Sequence, residues 1–148
     1  MRYFILIIFF LASVSRVFAY TLPYPSYMPG HKLYRISRTL DKMKSFWYWG
    51  ERSQTKYHAS LADKYLVESK TLFEYQQYLL ATDALKRSNE QVMKISSRST
   101  EQMQAHKVIL ERLKLLLPED FLWQPEKESP TQLLLHKLLD EAIQLRNE

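Results

Sequence analysis

Only two of the 148 residues are glycine, and all six prolines fall within two short stretches, 23–29 and 118–130. Glycine and proline are the residues that punctuate regular structure. Their scarcity leaves long stretches that favour helices over a many-turned β fold. A hydrophobic fraction of 46% supplies a core and is too high for a disordered chain. The length fits one domain. The reading is all-α: an antiparallel up-and-down bundle of three to four long helices spanning 32–148, behind a signal peptide (1–19) and a Tyr/Pro-rich arm (20–31).

The first nineteen residues carry Arg2, then an apolar run from Phe4 to Val14, then Val17 and Ala19 at the −3 and −1 positions of a cleavage site. A bilayer span needs about 20 apolar residues, and Arg16 interrupts this shorter run. Export with cleavage after Ala19 is expected, which makes the chain extracytoplasmic. Retention of the segment as an N-terminal membrane anchor is the alternative. The chain has no cysteine, so neither a lipid-modified cysteine nor a disulfide is available to it. Its stability must come from packed helix faces.

The formal charge of +5 is partly carried by the leader, because Arg2 and Arg16 lie there and no acid does. Beyond it, the basic residues are interspersed with acids along the helices. That pattern reads as a solvated face, and no nucleic-acid partner is expected.

Residues 20–31, YTLPYPSYMPGH, combine tyrosines and prolines in an extended, polyproline-like pattern. Two readings stand for Tyr24 and Tyr27: rings that cover a helix seam, or a recognition strap for another protein. A first helix is predicted over 32–49, with Leu33, Ile36, Leu40, Met43 and Trp47 on its inward face and Gly50 as its C-cap. It ends in Phe46, Trp47, Tyr48 and Trp49. Successive residues lie about 100° apart on a helix, so these four rings cannot all enter one core. They read either as core packing and hairpin closure or as a membrane-interface or partner patch.

A second helix is predicted from Ser53, as N-cap, to about Tyr75, with His58, Ala62, Tyr65, Ser69, Leu72 and Phe73 facing inward. Of Leu61, Leu66 and Leu72, the last is expected to lie deepest. No breaker marks the boundary near Gln76, which is either a turn or a continuation. From 79 to 117 a heptad-like seam runs through Ala81, Leu85, Ser88, Val92, Ile95, Ser99, Met103, His106, Leu110, Leu113 and Leu117, predicting one long helix with a weak, serine-bearing middle. In the second breaker-rich stretch, Phe121, Leu122 and Trp123 are expected to anchor the chain to the helices. Ser129, Pro130 and Gln132 form a capping-box pattern that starts a last helix with Leu135, Leu138, Leu139, Ala142 and Leu145 on its apolar face.

The string from Tyr20 to Trp47 and the segment KYHASLADKYLVESKTLFE resemble a bacterial family of exported helical proteins, domain of unknown function 5667. The shared patterns, LPYPG-x-LP-x-x-PLY-x-L-K-x-x-x-D and H-L-x-x-A-D-x-x-L-x-E, fall here on Leu22, Pro23, Tyr24, Pro25, Pro29, Leu33, Tyr34, Asp41, His58, Ala62, Asp63, Leu66 and Glu68. The resemblance covers about 20–87. Ser26 stands where glycine is usual, His31-Lys32 where proline is common, and Arg38 near the usual lysine. The resemblance implies export and a helical fold, and brings no catalytic residues with it.

The residues themselves point away from catalysis. There is no cysteine nucleophile, the serines sit in helical or capping contexts, and Gly30 and Gly50 are isolated, so neither a nucleophile elbow nor a phosphate cradle is present. Of His31, His58, His106 and His136, only His136 has a potential metal ligand, Asp140, one turn away. No metal or cofactor is expected. His106 is expected to be a buried histidine bonded to a polar group, and His58 is a possible neighbour. Asp63 and Glu68 are expected on different faces, one in a surface salt bridge with a base such as Lys64.

The expected function is a non-catalytic envelope interaction or structural module with a protein partner in the cell envelope. The alternatives are a periplasmic helical-hairpin chaperone or stress sensor, and a membrane-surface protein anchored through Phe46 to Trp49. The oligomeric state is not legible.

Overall fold

The computed structural model describes residues 20–125 and 129–148, so the leader and its cleavage point lie outside the described residues. Five helices follow in order: α1 (Tyr34–Lys44), α2 (Glu51–Glu74), α3 (Tyr78–Met93), α4 (Thr100–Leu116) and α5 (Leu135–Leu145). Two three-residue strands, β1 (Phe121–Trp123) and β2 (Thr131–Leu133), stand between α4 and α5. The protein is mostly helical, with this small sheet as its β content among the described residues.

The boundary left open near Gln76 is a turn. Gln76 adopts φ 59°, and the amide of Gln77 reaches back to the Leu72 carbonyl at 2.9 Å. This is the left-handed helix ending that glycine or asparagine usually occupies. A glutamine performs it here, which is why the sequence carried no breaker. Beyond the turn, α3 returns antiparallel along α2. Ser69 donates to the Ala81 carbonyl (2.9 Å), Ser88 donates to the Ala62 carbonyl (2.8 Å), and His58 donates to Gln91 Oε1 (2.8 Å). Ala62, Ser69, Ala81, Ala84 and Ser88 are all fully buried, and their small side chains let the two backbones approach closely.

The long helix expected over 79–117 is two helices. Its serine-bearing middle breaks, and the Ser99 hydroxyl accepts from the Gln102 amide to cap α4. Serine competes for backbone hydrogen bonds and adds little apolar area, so the weakest part of the seam became a cap. The rest of the seam is buried except Leu117, which is half-buried. α4 runs parallel to α2, with Gln102 donating to the Ala59 carbonyl at 3.0 Å. α5 runs antiparallel to α4, joined by Lys114 to Asp140 (2.6 Å) and Lys107 to Asn147 (3.0 Å).

The core gathers Leu66, Leu72, Phe73, Leu85, Leu110, Leu113, Leu135 and Leu139. Leu66 at 0% exposure lies marginally deeper than Leu72 at 1%, which corrects the expected order; Leu61 is at 8%. α2 starts at Glu51 with Gly50 as N-cap, where Ser53 was expected. The capping box expected at Ser129–Gln132 does not form either. Thr131–Leu133 pairs antiparallel with Phe121–Trp123, and the Gln132 amide donates to Asp120 at 2.8 Å. Pairing of the two apolar segments leaves α5 to begin at Leu135, whose apolar face is as expected, with Leu138 and Leu145 half-buried.

The largest departure is α1. It is shorter than expected, 34–44, and is rotated by about a third of a turn. Leu33, Ile36, Leu40, Met43 and Trp47 were expected inside. They are exposed at 40%, 54%, 50%, 53% and 79%. Tyr34, Ser37, Arg38 and Asp41 face α2 instead.

Candidate functional site

Five polar contacts explain why α1 sits with its apolar stripe outward. The Tyr34 hydroxyl donates to Glu68 Oε1 at 2.7 Å and accepts from Arg87 at 3.0 Å. The Lys64 ammonium forms an ion pair with Asp41 and donates to the Ser37 hydroxyl at 3.1 Å. The Tyr57 hydroxyl donates to the Asp41 carbonyl. Asp41 and Lys64 retain only 12% and 18% of their side-chain exposure, so this pairing lies well inside the range where charges attract strongly. Asp41 is followed by Lys42, and the opposite face of the same turn carries Leu40 and Met43. Satisfying Asp41 and Tyr34 therefore points the leucines outward.

Glu68, the last residue of the second shared pattern, is 2% exposed and its Oε2 has no hydrogen-bond partner among the described residues. Burial raises its pKa above the usual carboxylate value, against the opposing influence of Tyr34 and Arg87. Burial and the same hydrogen bond push the Tyr34 phenol up to about 12. Asp63 and Glu68 are thus both interior, not members of a surface ion pair as expected.

The aromatic run after α1 divides. Tyr48 stacks on Tyr57 with centroids 5.1 Å apart. Phe46, Trp47 and Trp49 are exposed at 76%, 79% and 85%. Trp49 Nε1 donates to the Phe46 carbonyl at 2.6 Å, which fixes the turn without burying the ring. None of the four is a core residue: Tyr48, 39% exposed, covers the buried Tyr57 from outside. The exposed stripe of α1 runs on through Trp47, and Phe46 and Trp49 add two more exposed rings in the turn after it, Phe46 at the rim of a cleft towards α2.

In the arm, Tyr24 is 93% exposed and Tyr27 47% exposed, stacked on His31 at 4.9 Å. Met28 packs against the main core, and the Tyr20 hydroxyl donates to Asp63 at 2.6 Å. Its two recognition candidates therefore point outward while its ends are held.

Asp63 begins a buried polar chain that the sequence did not reveal. Its Oδ1 accepts from Gln102 (2.5 Å) and from His106 Nε2 (2.6 Å). His106 Nδ1 accepts from Arg146 Nε at 3.0 Å. Because a guanidinium only donates, Nδ1 must carry the lone pair and the ring proton sits on Nε2, so this histidine is neutral. Burial lowers its pKa below the ordinary value, with the neighbouring Arg146 charge adding to the effect. Arg146 also donates to Asn89 (2.8 Å), Ser88 (3.0 Å) and the Ala142 carbonyl (2.8 Å). Burial pulls its pKa down to about 10. The chain joins the arm, α2, α4, α3 and the end of α5. His106 is wholly buried with both nitrogens engaged, and Ser88 donates to the Ala62 backbone carbonyl.

The remaining histidines have separate partners. His58 bonds Gln91 and does not meet His106. His136 Nε2 donates to the Leu117 carbonyl at 2.9 Å, and Asp140 binds Lys114. Among the described residues no three potential ligands converge on a metal position. An open cleft of about 700 Å³ beside α1 is lined by charges of both signs, including Lys42, Lys86, Asp83 and Glu90. The apolar side chains of α1 and the turn after it are left uncovered by the described residues.

A family model described as Domain of unknown function (DUF5667) matches residues 26–120. The chain belongs to this family. The match begins within the arm and runs past the expected limit near 87 to the end of α4. The DUF5667 match thus takes in α1, its polar seat on α2, and the start of the buried chain at Asp63 and His106. No curated protein and no solved structure matches the chain.

Proposed function

We propose that this DUF5667 protein is an exported, non-catalytic envelope module that works by docking through α1. One observation carries the reading: a helix seated by its polar face displays Leu33, Ile36, Leu40 and Met43 outward. Burying one such side chain is worth about 1.5–3 kcal/mol. A fold that leaves four of them wet in a single stripe has a surface suited to association. The four-helix body supports an antiparallel up-and-down arrangement whose role is to hold α1 and the arm. The composition of residues 1–19 supports export. A client-holding chaperone would need a broad apolar cradle, whereas the stripe on α1 is one helix wide, and the other exposed apolar side chains, among them Met93, Leu115 and Leu122, stand on separate elements.

The test is cell fractionation with tagged protein. Association with the envelope is expected to persist in the parent chain and to be lost in the Ile36→Ser/Leu40→Ser variant, at unchanged abundance and thermal stability. Envelope association that ignores this substitution would overturn the reading. N-terminal sequencing of the fractionated protein is expected to begin at Tyr20.

A further inference from the structure

The charge around the α1 stripe says what kind of partner fits it. Helical spacing places Lys44 on one flank and Lys32, Arg35 and Lys42 on the other, and all four are exposed. Asp41 is the one acid between residues 31 and 50, and it is turned away, buried against Lys64. At the C-terminal end of the helix stand Phe46, Trp47 and Trp49, each more than three-quarters exposed. An apolar stripe flanked by bases and ended by indole rings is the pattern of a helix that lies in the interface of a bilayer. Trp rings favour that layer because one edge is apolar and the other wet.

Resting on the docking reading above, we infer that α1 and the turn after it bind an anionic lipid surface. The helix lies in the headgroup plane, with Ile36, Leu40 and Met43 in the acyl boundary and Lys42 and Lys44 among the phosphates. A second copy of the chain is the poorer occupant, because pairing two α1 stripes brings two sets of uncompensated bases together. Among the described residues no helix is long and apolar enough to cross the membrane, so the contact is made from the surface. The polar seat on α2 prevents α1 from turning inward to hide the stripe, so the surface is available without unfolding.

The purified chain should be tested by flotation and tryptophan emission with phosphatidylcholine vesicles and with vesicles of phosphatidylcholine and phosphatidylglycerol. Flotation with the anionic vesicles is expected, with a blue shift that needs Trp47 and Trp49 and that weakens as salt rises. Lys42→Gln and Lys44→Gln are each expected to weaken binding about fivefold. Ile36→Ser/Leu40→Ser should abolish it, while helicity and melting temperature stay those of the parent. That variant keeps residues 1–19, so an effect of a retained leader would survive in it. Absence of anionic-vesicle binding, or binding that survives Ile36→Ser/Leu40→Ser, would overturn the lipid inference. If vesicle binding is absent while a crosslinker at Met43 traps an acidic envelope protein, or while light scattering finds a dimer lost in Leu40→Ser, the lipid inference falls and the docking reading stands. If envelope association is also indifferent to the double substitution, both fall.

Discussion

The hydroxyl of Tyr20 lies 2.6 Å from Oδ2 of Asp63, so the residue expected to follow the leader holds the acid from which the buried polar chain starts. Tyr20→Phe removes one donor from a buried carboxylate and is expected to cost about 1–3 kcal/mol. Asp63→Ala strands Tyr20, Gln102 and His106 together and should cost more. In a double-mutant cycle by urea denaturation the two positions should couple by at least about 0.5 kcal/mol. Strict additivity would show that the arm is not held by this bond. Deletion of Tyr20 to Pro29 should accordingly lower the melting temperature.

Acid should destabilise the fold through His106. Its folded pKa lies below the ordinary value of 6.5, chiefly through burial, so the unfolded state binds the proton more readily. This contribution to stability is fully present above the unfolded pKa and is lost as pH falls below it toward the folded value. Melting temperature measured across that window should fall with pH in the parent chain, and fall less in His106→Gln. Equal slopes in both would place the acid sensitivity elsewhere.

Glu68 should act with the opposite sign. Burial raises its folded pKa, so the folded state retains the proton more strongly than the unfolded one. The stabilising contribution is present below the unfolded carboxylate pKa and is lost as pH rises through the folded pKa. Glu68→Gln should therefore raise the melting temperature at neutral pH and change little in acid. A loss of stability at neutral pH would mean that the charge, not just the Tyr34 hydrogen bond, seats α1.

Two leucines separate the core from the docking face. Leu72, 1% exposed, should cost about 2–5 kcal/mol on truncation to alanine, the range for a packed leucine. Leu40, 50% exposed, should change stability by no more than about 0.5 kcal/mol under the same substitution. Chemical denaturation of the two variants side by side decides the matter. A large loss for Leu40→Ala would return α1 to the interior.

Periodicity located the helical body well, because burial and apolar spacing coincide in the seam from Ala81 to Leu113 and in α5. It failed on α1, where two polar residues outweighed four apolar ones. Asp41 and Tyr34 have built partners on α2, and a helix has only one rotation that satisfies both. The signal was present in the resemblance: Tyr34, Asp41 and Glu68 all belong to the shared patterns, and each sits in the α1–α2 seat. The buried chain was less legible, since Arg146, although it continues the apolar face one heptad after Leu139, is a charge at a helix end that reads as solvated, and Asp63 looks like an ordinary surface acid. Only the convergence of five segments makes them interior. Capping patterns misled at Ser129, where pairing of TQL with FLW offered the same backbone a sheet instead of a helix turn.

The position of Arg146 in the middle of that chain has a consequence for the order of assembly. A chain emerging from its N-terminus can bring Tyr20, Asp63 and His106 together before the guanidinium of Arg146 follows, 40 residues after His106. Until it docks, His106 Nδ1 and Asn89 Oδ1 lack the donor they share in the finished protein, and α5 has no polar reason to settle against α3. Consolidation of these contacts is therefore tied to the arrival of Arg146, and cleavage just before it by a protease would be felt across the molecule, where Tyr20 fastens the arm to Asp63.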